Sequence, residues 1–302
     1  MVAVDLYPHL APQTQHIAAL PAAERIAHVG GHCWIGYPAA QAALAKLEQF
    51  ISQPPVLRPP NLLIVGPTNN GKSMIAERFR RMHPPTDSAD REHQNMPVVA
   101  MQMPSNATVR RFYASLLAAL GSPMLTYGAT DMREQMALRL MRDVGTRVLI
   151  IDELHNMLAG RSGQQREFLN LLRFIGNELR ISLLCLGTKE AYLAIRSDDQ
   201  LENRFEPISL PRWIDGIELG RLLASFEATL PLRNPSELGC AALRSLILRR
   251  SEGTIGEIAA LLSSAARLAL ANGREQLDEA LIEAADYKTP SERRRQFEAS
   301  LG

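Results

Sequence analysis

The sequence predicts an α/β fold, a parallel sheet flanked by helices and followed by a smaller all-α domain. Three observations predict it. Short apolar runs alternate with amphipathic stretches from residue 61 to 213, a glycine-rich turn joins the first run to the first amphipathic stretch, and strand signals stop at 214 while helical periodicity continues. Strands that alternate with helices imply right-handed crossovers and a parallel sheet covered on both faces.

The elements follow in order. Residues 1–60 read as an N-terminal extension, helical in parts, with apolar Ala43, Leu44, Leu47 and Ile51 at helical spacing and a boundary at Pro54-Pro55 and Pro59-Pro60. Leu62-Leu63-Ile64-Val65 is a continuous apolar run, the pattern of a strand buried on both faces. Helices are expected over 73–82, 107–120, 132–144 and 168–179, and further strands over 98–103, 148–151, 181–186 and 206–210, with a surface loop at 84–95. From 214 to 288 the periodicity predicts helices at 217–230, 236–250, 255–272 and 276–287. Residues 289–302, with Arg293-Arg294-Arg295, read as a solvated basic tail.

Composition narrows the function classes. Of 302 residues, 46% are hydrophobic and 22% charged, which excludes a disordered polymer and a collagen-like repeat. Lys+Arg 33 against Asp+Glu 32 leaves a net charge of +1, so nucleic acid would have to be held by a local basic groove rather than by bulk charge. Asp5, Pro8 and Pro12 interrupt any signal-like start, and no run of 18 apolar residues occurs, so a cytoplasmic protein without a membrane is expected. Cys33, Cys185 and Cys240 form no CxxC pair and read as reduced, buried thiols. His28 and His32 are spaced for one helix face with Cys33 following, but no fourth ligand completes a metal site.

The chemistry concentrates at two places. Gly66-Pro67-Thr68-Asn69-Asn70-Gly71-Lys72-Ser73 matches GxxxxGK[ST] between a predicted strand and a predicted helix. Glycines let the backbone curl its N–H groups toward phosphate oxygens, and the helix that begins there presents its positive end to the same anion. Lys72 would reach the β- and γ-phosphates of ATP and the Ser73 hydroxyl would ligate Mg²⁺, with Met74 closing the nucleotide-binding stretch. The apolar run 148–151 delivers Asp152 and Glu153 at a strand's C-terminal end, where α/β sheets bind ligands. Asp152 suits the Mg²⁺ shell, and Glu153 suits the orientation and deprotonation of an attacking water. Thr188 is aimed at the γ-phosphate side, and Ala191 stands where a guanine-selecting loop would need Asp. Arg204, before the fifth strand, is placed to reach a neighbouring subunit's nucleotide. His155 reads as a buttress of the active site or of a subunit contact. Arg110 and Arg111, with Ser105 just upstream, are candidates for sequence-independent phosphate contacts to DNA.

Together these features resemble an AAA+ ATPase over about residues 35 to 288. The stretches Trp34-Ile35-Gly36-Tyr37-Pro38, Asn61 to Lys72 and Ile151-Asp152-Glu153-Leu154-His155-Asn156 are similar to the TniB branch of the TnsC/TniB transposition ATPases. The resemblance implies an ATP-dependent regulator that oligomerises on target double-stranded DNA as a ring or filament. It would connect a TniQ-like target selector with a TniA-like DDE transposase. It also implies adenine contacts by Trp34, Ile35 and Tyr37, a sensor role for Thr188 and a trans-acting finger at Arg204. Gly256 stands where many AAA+ proteins carry a sensor-two arginine. The rival readings are a DNA-independent, clamp-loader-like ATPase that remodels a protein partner, and a nucleotide-gated scaffold whose hydrolysis is incidental.

Overall fold

The structure is a computed structural model, and it describes residues 6–31, 34–87, 94–122, 129–159 and 162–301. These divide into two compact units, one running from Pro38 to Leu210, the other combining the residues up to Tyr37 with those from Pro211 onward. The Pro-rich stretch at 54–60 therefore lies inside a unit. The divisions fall at Tyr37/Pro38 and Leu210/Pro211, and the N-terminal stretch is shared between the two.

Helices α1 (Pro12–Ala18) and α2 (Ala22–His28) come first in the chain and belong to the other unit; in the first unit, helix α3 (Pro38–Ser52) leads to β1 (Asn61–Val65) and α4 (Lys72–Met82). Next come β2 (Val98–Gln102), α5 (Val109–Ala119), α6 (Thr130–Asp143) and β3 (Val148–Asp152). A 3₁₀ turn over Leu154–Ala159 connects to α7 (Ser162–Leu179) and β4 (Ser182–Gly187), and α8 (Lys189–Arg196) and α9 (Asp199–Glu202) precede β5 (Phe205–Ser209). The strands form one parallel sheet in the order β2-β3-β4-β1-β5. Leu62, Leu63 and Ile64 of β1 and the apolar residues of β3 and β4 are all 2% exposed or less, which is why these strands read as unbroken apolar runs. Parallel register brings the ends of β1, β2, β3 and β4 to one edge of the sheet, so the glycine-rich loop after β1 and the carboxylates ending β3 share an edge.

The second unit holds α1 (Pro12–Ala18), α2 (Ala22–His28), α10 (Ile217–Glu227), α11 (Ala241–Ser251), α12 (Ile255–Ala271), α13 (Glu279–Ala284) and α14 (Pro290–Leu301). Its core comes from Leu219, Leu223, Ile247, Ile258, Leu261 and Ala265, none of them exposed at all.

Several boundaries differ from the sequence reading. Helix α11 starts at 241, because Glu227 accepts hydrogen bonds from the amides of Ser236, Glu237 and Leu238 and fixes that stretch as a turn. Asp278 caps α13 by accepting from the amide of Leu281, which sets a later start than 276. The basic tail is helical over Pro290–Leu301 and has no buried residue, and Arg293 donates to Glu257 at 2.6 Å. Cys185 is buried as expected, but Cys240 is exposed at the N-cap of α11. Helix α2 ends at His28 and Val29 is extended, so the expected His28/His32 helical pair is broken; His32 and Cys33 lie outside the described residues. No single helix among the described residues is long and apolar enough to cross a membrane.

Candidate functional site

The loop from Gly66 to Gly71 takes its shape from two left-handed residues, Asn69 with φ 59° and Gly71 with φ 86°, and Gly71 is the N-cap of α4. At Gly66 the reason for glycine is different. A Cβ there would come within 2.6 Å of the Leu210 carbonyl oxygen, and the Gly66 amide donates to Gly187 at 3.2 Å, so the chain passes too close to β4 and the end of β5 for a side chain. Buried Asn70 donates its side-chain amide to the same Leu210 carbonyl at 2.7 Å. Pro67 and Thr68 complete the curl, and the amides that open α4 have no helical acceptor of their own.

Lys72 is only 8% exposed, and its ammonium donates to the carbonyls of Gly66 at 2.9 Å and Pro67 at 2.7 Å. Burial pushes its pKa down, while the charges of Glu153 and Asp152 push it back up. An ammonium folded onto neutral loop carbonyls has weaker partners than a phosphate would be, so an incoming anion displaces them at a gain.

Across the edge, the Ser73 hydroxyl donates to Asp152 Oδ2 at 2.6 Å, and Asp152 Oδ1 accepts from the amide of Glu153 at 2.7 Å. Two cis ligands of an octahedral Mg²⁺ with bonds of 2.0–2.1 Å stand about 2.9 Å apart. The Ser73–Asp152 spacing is close to that, so the pair fits one Mg²⁺ with little movement. Among the described residues no group of three or more His, Cys, Asp or Glu could hold a metal. Met74, also named from sequence, follows Ser73 within the first turn of α4.

Glu153 is left-handed, with φ 55°, which turns its carboxylate out of the strand direction that Asp152 follows. His155 Nε2 lies 3.1 Å from Glu153 Oε2, and His155 Nδ1 is buried without a hydrogen-bond partner. An imidazole with its proton on Nε2 leaves only an acceptor at the buried nitrogen, so the ring donates to Glu153. Of the two sequence readings of His155, the active-site buttress is the one that this geometry carries. Asn156 ties the turn to the next strand: its amide donates to the Glu153 carbonyl at 2.9 Å and its side chain to the Met103 carbonyl at 3.0 Å. Nothing in the residue spacing announced that contact, since Met103 and Asn156 meet only through sheet register.

Thr188 stands at the same edge as the N-cap of α8, but its hydroxyl donates to the Glu190 carboxylate. The expected aim at a γ-phosphate therefore requires this hydroxyl to change partner. Ser105, Arg110 and Arg111 are exposed on the segment that leaves the β2 end, beside the carboxylate turn. Arg111 donates to the Asn106 carbonyl at 3.0 Å, while Arg110 lines a cleft of about 490 Å³ with Asp131, Glu134 and Glu167. Trp34, Ile35 and Tyr37 belong to the helical unit. Ile35 is buried in that unit's core, and the Tyr37 ring packs edge-on against Trp213 at 5.4 Å.

Arg204 lies elsewhere. The first residue of β1, Asn61, donates its amide to the Arg204 carbonyl at 2.8 Å, so Arg204 is at the N-terminal edge of the sheet. The full length of β1, on the order of 13 Å, separates it from its own glycine-rich loop.

The family described as "Bacterial TniB protein" matches residues 25–215. Among solved structures, the chain is similar to the Aeropyrum pernix ORC1 protein in complex with DNA, at 16% identity and a TM-score of 0.59, covering 86% of this chain and 68% of that one. The Aeropyrum pernix ORC2 protein, solved as ADPNP-ADP complexes, gives 17% identity and a TM-score of 0.57 over 82% of this chain and 65% of that one. Cdc6p from Pyrobaculum aerophilum gives 15% and 0.56 over 82% and 67%. The chain thus spans about two thirds of the length of these AAA+ structures. No curated protein matches it. The fold is that of the AAA+ ATPases.

Proposed function

The chain belongs to the bacterial TniB family, and on that premise we propose that it is an ATP- and Mg²⁺-dependent regulator of DNA transposition that assembles on double-stranded DNA and recruits or activates a DDE transposase. The observation that carries the reading is the division of labour across the sheet. Lys72, Ser73, Asp152 and Glu153 meet at one edge and Arg204 stands at the other. The reading gives Arg204 the triphosphate of a neighbouring copy, so that ATP acts as a bond between subunits.

Within the site, the loop amides and Lys72 bind and orient the phosphates. Ser73 and Asp152 hold Mg²⁺, which when bound neutralises phosphate oxygens. Glu153 takes the proton of the attacking water, its carboxylate oriented by the donor of His155. Thr188 reaches the γ-phosphate on release from Glu190. Ser105, Arg110 and Arg111 contact DNA phosphates, and their descent from β2, tied through Met103 to the Glu153 turn, lets duplex binding and hydrolysis influence each other. Hydrolysis then loosens the assembly, and slow turnover, below the ~10 s⁻¹ typical of enzymes, suits such a timer.

The test is fluorescence anisotropy of a labelled random-sequence duplex with Mg²⁺ and either a non-hydrolysable ATP analogue or ADP. Cooperative, salt-sensitive binding with the analogue alone is expected. Equal binding in both states removes the nucleotide switch. No binding in either, together with ATP turnover that responds to a protein, favours a clamp-loader-like remodelling ATPase.

A further inference from the structure

We propose that Asn177 is the positioning residue of the trans-acting arginine, holding the Arg204 guanidinium in a fixed pose before a neighbouring subunit arrives. The inference rests on the reading of Arg204 given above and adds to it the residue that presents the finger. The backbone of Arg204 is fixed at both ends: its amide donates to the Leu201 carbonyl at 2.9 Å, and its carbonyl accepts from Asn61 at 2.8 Å. Asn61 is itself buried, and its side-chain oxygen accepts from the amide of Leu183 at 2.8 Å. The root of Arg204 is thereby anchored to the sheet through β1 and β4. A long side chain on a rigid root still has several rotamers, and an arginine that samples all of them loses most of its use in a transition state that demands one.

Asn177 removes that freedom. It is an exposed residue near the C-terminal end of α7, and its Oδ1 accepts from Arg204 Nη1 at 2.6 Å. The partner chosen is informative. A carboxylate would neutralise the guanidinium and compete with a phosphate, whereas the amide oxygen of Asn orients one nitrogen, leaves the charge intact and keeps the other donors open. The next turn of α7 shows the contrast: Arg173 is committed to Asn170, to Gln200 at 2.7 Å and to the Asp198 carboxylate at 3.8 Å. Of these two arginines on one face, only Arg204 is held by a neutral group and without a carboxylate.

The test uses the full chain on duplex with ATP and Mg²⁺, comparing wild type, R204A, N177A and N177D. N177A should lower turnover by about tenfold with nucleotide affinity unchanged, and N177D, whose carboxylate neutralises the guanidinium and competes with the phosphate, should be at least as impaired. Mixing separates presentation from folding. N177A has an intact nucleotide site and a loose finger; E153Q has a dead site and a well-held finger. A 1:1 mixture should raise turnover per N177A site several-fold, because E153Q neighbours supply the arginine. N177A within twofold of wild type while R204A is impaired, N177D as active as wild type, or a mixture with no rise would each overturn the inference alone. Unimpaired R204A, or a wild type without turnover, would overturn the reading of Arg204 first and this inference with it.

Discussion

The two units use charge in opposite ways. In the helical unit the two buried charges, Arg25 and Glu257, each meet an opposite charge. Arg25, 2% exposed, donates to both Glu275 oxygens at 2.7 Å and to the Pro231 carbonyl at 3.0 Å. Glu257, 8% exposed, accepts from Tyr287 at 2.7 Å and from Arg293 at 2.6 Å. At the loaded edge of the sheet, charges end on groups that a ligand can replace: Lys72 on loop carbonyls, Asp152 on a hydroxyl and an adjacent amide. Burial alone does not separate the two classes, since Lys72 and Glu257 are equally exposed. The quality of the partner does. Among these buried charges, Arg25 and Glu257 are matched by opposite charges and are structural, whereas Lys72, held by neutral carbonyls, is a reserve for binding.

The largest effect that sharpens this contrast is expected at Glu153. Glu153→Gln keeps the side chain's size and a partner for His155 but removes the base, so turnover should fall by 10²- to 10⁴-fold while the nucleotide still binds. Single-turnover hydrolysis beside a nucleotide titration checks it, and a fall of less than tenfold would take Glu153 out of the proton transfer. In the helical unit the corresponding change is Arg25→Ala, which should destabilise that unit by about 3 kcal/mol, the low end for a broken buried pair because Glu275 is partly exposed and keeps the Arg233 amide at 3.2 Å. Nucleotide affinity should stay put.

The same pair predicts a pH dependence. The Arg25 guanidinium, first by hydrogen bonding, holds the Glu275 carboxyl below its ordinary value of 4.5. A depressed folded pKa means that the contribution is complete above 4.5 and is lost as pH falls through the lower, folded value. Arg25→Ala should therefore flatten the acid limb of a thermal-stability profile. An unchanged limb would place acid sensitivity elsewhere.

How much of this was legible in sequence follows the same division. The sheet was readable because strands buried on both faces leave continuous apolar runs, as in β1 and β3, and the phosphate loop because its glycines obey local backbone rules at Gly71. The membership of the N-terminal residues in the helical unit was not readable, because it depends on Arg25 reaching Glu275 across 250 positions. Asn177 and Asn156 were invisible for the same reason: each acts on a group 27 or 53 residues away, brought close only by sheet register and helix packing. The basic tail is solvated, as its charge density suggests, but the one contact that Arg293 makes with the buried Glu257 carboxylate, 36 residues away, leaves no signal near it.

The smallest expected effect tests whether the contrast extends to the segment after β2. Arg111 follows the binding pattern, with its guanidinium on the neutral Asn106 carbonyl, whereas Arg110 shares its cleft with Asp131, Glu134 and Glu167, whose fields offset its own toward a phosphate. If both touched duplex phosphates equally, replacing the pair by Ala would lower the slope of log affinity against log salt by about 1.8, in equal halves. The partner rule instead assigns most of that change to Arg111. Affinity titrations of R110A, R111A and the double variant at several salt concentrations should show R111A close to the double variant and R110A close to wild type. The reverse order would mean that the cleft's carboxylates orient Arg110 toward DNA rather than neutralise it, and partner chemistry would then cease to separate structural from binding charges on this segment.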